Sequence, residues 1–128
     1  MKEQELNELS SRIIGAAMEV HKILGPGLQE DIYRDALSYE LELRGIQCQK
    51  EVSVPVCYKG LQLRCEKFID ILVEDEVVLE LKSVKEMKEV FHKQILTYMK
   101  LANKRLGLLI NFDVPVLREG IYRKVNGL

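Results

Sequence analysis

Two apolar runs that each carry charge constrain this chain more than any other feature. Phe68-Ile69-Asp70-Ile71-Leu72-Val73 and Val77-Val78-Leu79-Glu80-Leu81-Lys82 each read as a strand buried on both faces. A carboxylate in such a strand is costly unless something compensates its charge. A divalent cation would do so, and a metal flanked by a lysine is a recurring arrangement for hydrolysing phosphodiesters.

The segment between the runs, Glu74-Asp75-Glu76, reads as a turn. If it is a three-residue loop pairing Val73 with Val77, Asp70 lies opposite Glu80. Directly opposite side chains have Cβ atoms about 4.5–5.5 Å apart, and two carboxylates that close repel unless they share a proton or a cation. Lys82, two residues beyond Glu80, points to the same face. A two-residue loop would shift the register and break the alignment. Hard cations such as Mg²⁺ or Mn²⁺ take oxygen ligands, so Asp70, Glu80 and the backbone carbonyl of Leu81 are the candidate ligands. Lys82 is the candidate to orient or deprotonate an attacking water. On spacing alone, a salt bridge between Lys82 and either carboxylate at a sheet end is the favoured reading, because the Asp-x9-Glu-x-Lys pattern is loose.

Apolar periodicity predicts a helix over 3–24, broken by Gly25-Pro26-Gly27, and a second over roughly 28–44 ended by Gly45. Residues 46–58 read as a strand, at an edge or interrupted at Pro55, which lacks an amide donor. Lys59-Gly60 is a turn. A further strand runs from Leu61 through the 68–73 run, with an apolar parity change between Cys65 and Phe68 that marks a bulge. After 77–82, a third helix is expected over about 86–102, then a buried strand over 106–112 and a short one over 121–125. The order α-α-β-β-β-α-β, with a closing β, defines an α/β (α+β) fold. At 128 residues the chain is read as a single domain, 1–128.

Composition narrows the function classes. Hydrophobic content is 47% and charged content 30%, as in globular proteins, and the apolar stretches are too short to span a bilayer. The polar N-terminus lacks a signal-peptide core. Cys48, Cys57 and Cys65 form neither a zinc motif nor an evident disulfide framework, and read as buried or half-buried strand thiols. A cytoplasmic location without membrane association follows. A net charge of −1 argues against a dedicated nucleic-acid binder. Yet residues 82–105 carry Lys82, Lys85, Lys88, Lys93, Lys100, Lys104 and Arg105 against Glu86 and Glu89 alone. That flank suits a phosphate backbone and equally suits a solvated helix face. His21 and His92 read as surface residues without a role.

Gly27-Leu28-Gln29-Glu30-Asp31-Ile32-Tyr33 matches a Gly-x-x-Glu-x-x-Tyr signature. Taken with Asp70, Glu80-Leu81-Lys82, Gln94-Ile95-Leu96-Thr97-Tyr98 and the run 106–112, it resembles the GxxExxY proteins of bacteria and archaea, placed in the PD-(D/E)XK nuclease superfamily. The resemblance implies a restriction-endonuclease-like core, a mixed central sheet flanked by helices. It implies Asp70 and Glu80 as metal ligands, Lys82 as catalytic lysine, and Glu30 as the carboxylate completing the acidic cluster. Gln94 and Tyr98 are similar to the QxxxY motif of RecB-like nucleases, which lies beside the site and helps place nucleic acid. Lys67 stands where many members carry arginine, which keeps charge and loses the bidentate fork. Read without the resemblance, Glu30 complements the helix dipole, and Gln94 and Tyr98 are an i, i+4 surface-and-core pair.

The expectation is a Mg²⁺- or Mn²⁺-dependent nuclease acting on nucleic acid, DNA before RNA, with Lys67, Lys85, Lys88 and Lys93 as substrate contacts. The alternative is a non-catalytic nucleic-acid- or protein-binding module on the same fold. A homodimer or a protein partner is compatible with either.

Overall fold

The computed structural model describes residues 1–64 and 67–128. Cys65 and the parity change expected between it and Phe68 therefore lie outside the described residues.

Helix α1 (Glu3–Leu24) buries the apolar stripe Leu6, Leu9, Ile13, Ala16, Ala17 and Val20. It ends at Gly25, and Gly25 and Gly27 both take left-handed backbone (φ 72° and 92°), the conformation that favours glycine. Helix α2 (Glu30–Leu43) follows and buries Tyr33, Leu37 and Leu41. Tyr33 fixes the junction. Its hydroxyl donates to the Gly25 carbonyl and accepts from Leu28 N–H at 3.1 Å.

The strands are β1 (Cys48–Ser53), β2 (Cys57–Tyr58), β3 (Leu61–Gln62), β4 (Phe68–Val73) and β5 (Val77–Lys82). Helix α3 (Glu89–Leu101), β6 (Leu106–Asn111), a 3-10 turn (Leu117–Gly120) and β7 (Ile121–Val125) complete the order. The main sheet is five-stranded, β1-β4-β5-β6-β7, with β5 and β6 parallel and every other pair antiparallel. The α3 crossover joins the parallel pair, as parallel strands require.

Each face of the sheet has its own apolar cluster. Ile71, Val73, Val77, Leu79, Leu81, Leu108 and Ile110 pack with α1 and α2. Ile69, Leu72, Val78 and Leu109 pack with Ile95, Tyr98 and Met99 of α3. This two-sided cover explains why β5 and β6 read as continuous apolar runs.

Some expectations are corrected. The strand expected over 46–58 breaks after Ser53, and β2 pairs with β3 in a separate small hairpin at Lys59-Gly60. The break falls around Pro55, and β1 forms the sheet edge. Cys57 is exposed because that hairpin lies off the main sheet, whereas Cys48 is half-buried. The third helix starts at Glu89 rather than near Glu86. Asn111 ties down the preceding loop through Val84 N–H (3.1 Å) and Val84 C=O (2.9 Å). His21 is buried, with Nε2 2.9 Å from the Val114 carbonyl. His92 is half-buried and packs edge-on to Tyr122. Among the described residues no helix is long and apolar enough to cross a membrane.

Gly120 marks a close approach. A Cβ there would lie 2.2 Å from the Asn111 carbonyl oxygen, a backbone atom at the end of β6. Gly120→Ala is expected to lower stability by about 1–3 kcal/mol, the usual cost of overpacking. Urea unfolding checks this.

Candidate active site

The β4–β5 turn is the three-residue one. Val73 pairs with Val77, Leu72 with Val78 and Ile71 with Leu79. Glu74 and Asp75 supply the left-handed backbone (φ 52° and 55°), and Glu76 N–H closes the turn on the Val73 carbonyl at 2.8 Å. The next position brings Asp70 and Glu80 together, and here side chains take over the bonding. Asp70 N–H donates to Glu80 Oε1 (3.2 Å), and Leu81 N–H donates to Asp70 Oδ2 (2.8 Å). Each carboxylate is thus held by the other strand's backbone.

A distortion accompanies this exchange. On the other side of β4, Lys50 pairs with Ile71 and Val52 with Ile69, which leaves Glu51 opposite Asp70. Glu51 has left-handed backbone (φ 53°), uncommon for a residue other than glycine. Ile69 and Ile71, which a regular strand would point the same way, join opposite cores. The β1–β4 ribbon rotates at Asp70.

Electrostatics mark the same pair. Glu80 is only 4% exposed. Burial, and after it the neighbouring Asp70 charge, pushes the Glu80 carboxyl up to about 9. Asp70 is also raised. Burial outweighs the Leu81 N–H and the Lys82 and Arg34 charges that favour its ionised form. Without a cation the pair therefore keeps a proton at neutral pH.

Lys82 is half-buried with its ammonium 4.5 Å from the centre of the Phe91 ring on α3. Among the described residues it makes no ion pair with Asp70 or Glu80, so its charge acts on both from a short distance. Phe91 lies three and seven residues before Gln94 and Tyr98, which puts all three on one α3 face. Gln94 Nε2 donates to the Tyr98 hydroxyl at 3.1 Å, and Tyr98 packs into the α3-side core.

Glu30 is exposed in the first turn of α2 and lines a concavity with Gly27, Leu28, Ser83 and Asp113. Among the described residues no three His, Cys, Asp or Glu side chains converge as a metal cage. The structure brings Asp70 and Glu80 together and leaves Glu30 outside that pair. Lys67, Lys85, Lys88 and Lys93 are exposed, and Lys93 stands 3.8 Å from Glu89. Leu81 is buried in β5.

Two residues escaped the sequence reading. Asn111 pairs with Lys82 in the β5–β6 register and clamps the loop that follows it. A polar residue inside the run 106–112 was the available signal. Arg34 of α2 pairs with Glu51 (3.0 Å) and places its charge near Asp70. No local pattern announces it.

The two facing carboxylates offer only oxygen, and a hard divalent cation fits such a set. Mg²⁺ commonly uses one or two carboxylates and completes its shell with water and substrate phosphate.

A mixed sheet flanked by three helices, with this carboxylate pair and lysine on its central hairpin, is a restriction-endonuclease-like fold. The family model of the PD-(D/E)XK nuclease superfamily matches residues 7–124, and the chain belongs to that superfamily. No curated protein and no solved structure matches it.

Proposed function

We propose that this chain is a divalent-metal-dependent nuclease that hydrolyses phosphodiester bonds, with DNA preferred to RNA. The observation that carries this reading is the pair of half-buried Asp70 and buried Glu80, held by crossed backbone hydrogen bonds beside Lys82. A pair that keeps a proton when metal-free is built to exchange it for a cation.

Asp70, Glu80 and the Leu81 carbonyl would hold Mg²⁺ or Mn²⁺, which supplies charge neutralisation at the phosphate and a more acidic water. Glu30 would join them only after a local movement of the α2 start, since it stands outside the pair. Lys82, steadied over Phe91, orients the attacking water and stabilises negative charge building on the scissile phosphate. The Gln94–Tyr98 pair positions the strand. Lys67, Lys85 and Lys88 add phosphate contacts from the surface, as does Lys93 when released from Glu89.

The test is cleavage of single- and double-stranded DNA and RNA with Mn²⁺ or Mg²⁺, alongside Mn²⁺ calorimetry. Millimolar-or-better Mn²⁺ binding with cleavage supports the nuclease. Absence of both favours a non-catalytic binding module, the reading the net charge of −1 suits.

A further inference from the structure

Arg34 is the charged residue that the chemistry above leaves unused. It lies four residues after Glu30, on the same face of α2. Its Nη2 is 3.0 Å from Glu51 Oε1, and Glu51 stands opposite Asp70 where the ribbon rotates. Its Nε is buried and, among the described residues, has no hydrogen-bond partner. A buried donor without an acceptor is destabilising, and native proteins rarely keep one without a use. The arginine fork matches phosphate geometry, and its charge does not titrate.

Arg34 also differs from the surface lysines. Its side chain is 23% exposed, and Glu51 holds one end of it in place. An anion that reaches the Asp70–Glu80 centre would find there a preorganised cation.

We propose that Arg34 is the phosphate-binding residue of this site, anchored by Glu51 and using its guanidinium to hold a non-bridging oxygen of the substrate strand. This rests on the nuclease reading. A purely tethering role would resemble that of the Lys50–Asp35 pair (3.1 Å), which joins the same β1 and α2 on the exposed side.

The test uses the full chain and a short single-stranded DNA oligonucleotide in Ca²⁺, with anisotropy as readout and Mn²⁺ calorimetry run separately without DNA. Arg34→Met is expected to weaken oligonucleotide binding roughly tenfold or more. Arg34→Lys should recover little, because it lacks the fork. Asp35→Ala should bind as wild type does, and Mn²⁺ binding should persist in all three. Equal oligonucleotide affinity in Arg34→Met and wild type overturns the proposal. So does equal weakening in Asp35→Ala, or loss of Mn²⁺ binding in Arg34→Met. If wild type binds no Mn²⁺, the nuclease reading fails separately. The Arg34 Nε–H resonance of wild type then decides the inference: a shift on adding oligonucleotide supports it, and an unmoved resonance overturns it.

Discussion

Lys82→Ala is expected to slow metal-dependent cleavage about a hundredfold to ten-thousandfold, the range that a positioned acid–base group contributes. Mn²⁺ affinity should stay close to wild type. The two effects separate because Lys82 does not build the metal-binding pair. Glu80 is fixed by the Asp70 amide and Asp70 by the Leu81 amide, and these bonds survive truncation of a side chain that rests over Phe91. The folding cost should be modest, about 0.5–2 kcal/mol for a half-buried cation–π contact. A rate deficit with intact folding and intact metal binding would place Lys82 in the chemical step. Cleavage by the variant at the wild-type rate would sink that role.

Glu80→Gln is expected to have an equally large effect of a different kind. It should abolish metal binding and also make the metal-free protein less sensitive to alkaline pH. In the folded chain the Glu80 carboxyl titrates near 9, against 4.5 for an unburied glutamic acid. Below pH 4.5 the group is protonated in folded and unfolded chains alike, and its contribution to stability is fully present. As pH rises towards 9 the unfolded chain releases the proton while the folded chain keeps it. Stability therefore falls, by at most roughly 1.4 kcal/mol per pH unit. Glutamine does not titrate and removes that slope. Thermal unfolding of metal-free protein should show the variant matching wild type near pH 4 and exceeding it near pH 8. Adding Mn²⁺ at pH 8 should raise the wild-type midpoint and leave the variant unmoved. The same linkage makes wild-type Mn²⁺ affinity rise with pH up to about 9, because the ion must displace the proton. A wild-type midpoint flat between pH 5 and 8, with no response to Mn²⁺, would contradict the description of the pair.

The fold was largely legible because its signals are local. The α1 stripe and the glycine break after it depend on helical period and on backbone conformations that glycine favours. The apolar runs that became β4, β5 and β6 mark strands covered on both faces. Even the Asp70–Glu80 alignment followed from a turn length, since the register of an antiparallel hairpin is set by its loop. What missed was non-local. The break into β1 and the separate β2–β3 hairpin depends on which segments find partners. The burial of His21 depends on the Val114 carbonyl, far along the chain.

The sequence by itself determined the three helices, the strands β4, β5 and β6, and the alignment of Asp70, Glu80 and Lys82 on one hairpin. It did so because side-chain period and turn chemistry are properties of neighbouring residues. Only the tertiary structure decided how that centre is held and what surrounds it. The rotation of the ribbon at Asp70, the position of Lys82 over Phe91, the Asn111 clamp and the Arg34–Glu51 pair each join elements distant in the chain. Burial and charge at such points depend on packing from several elements at once, and no window of sequence contains them.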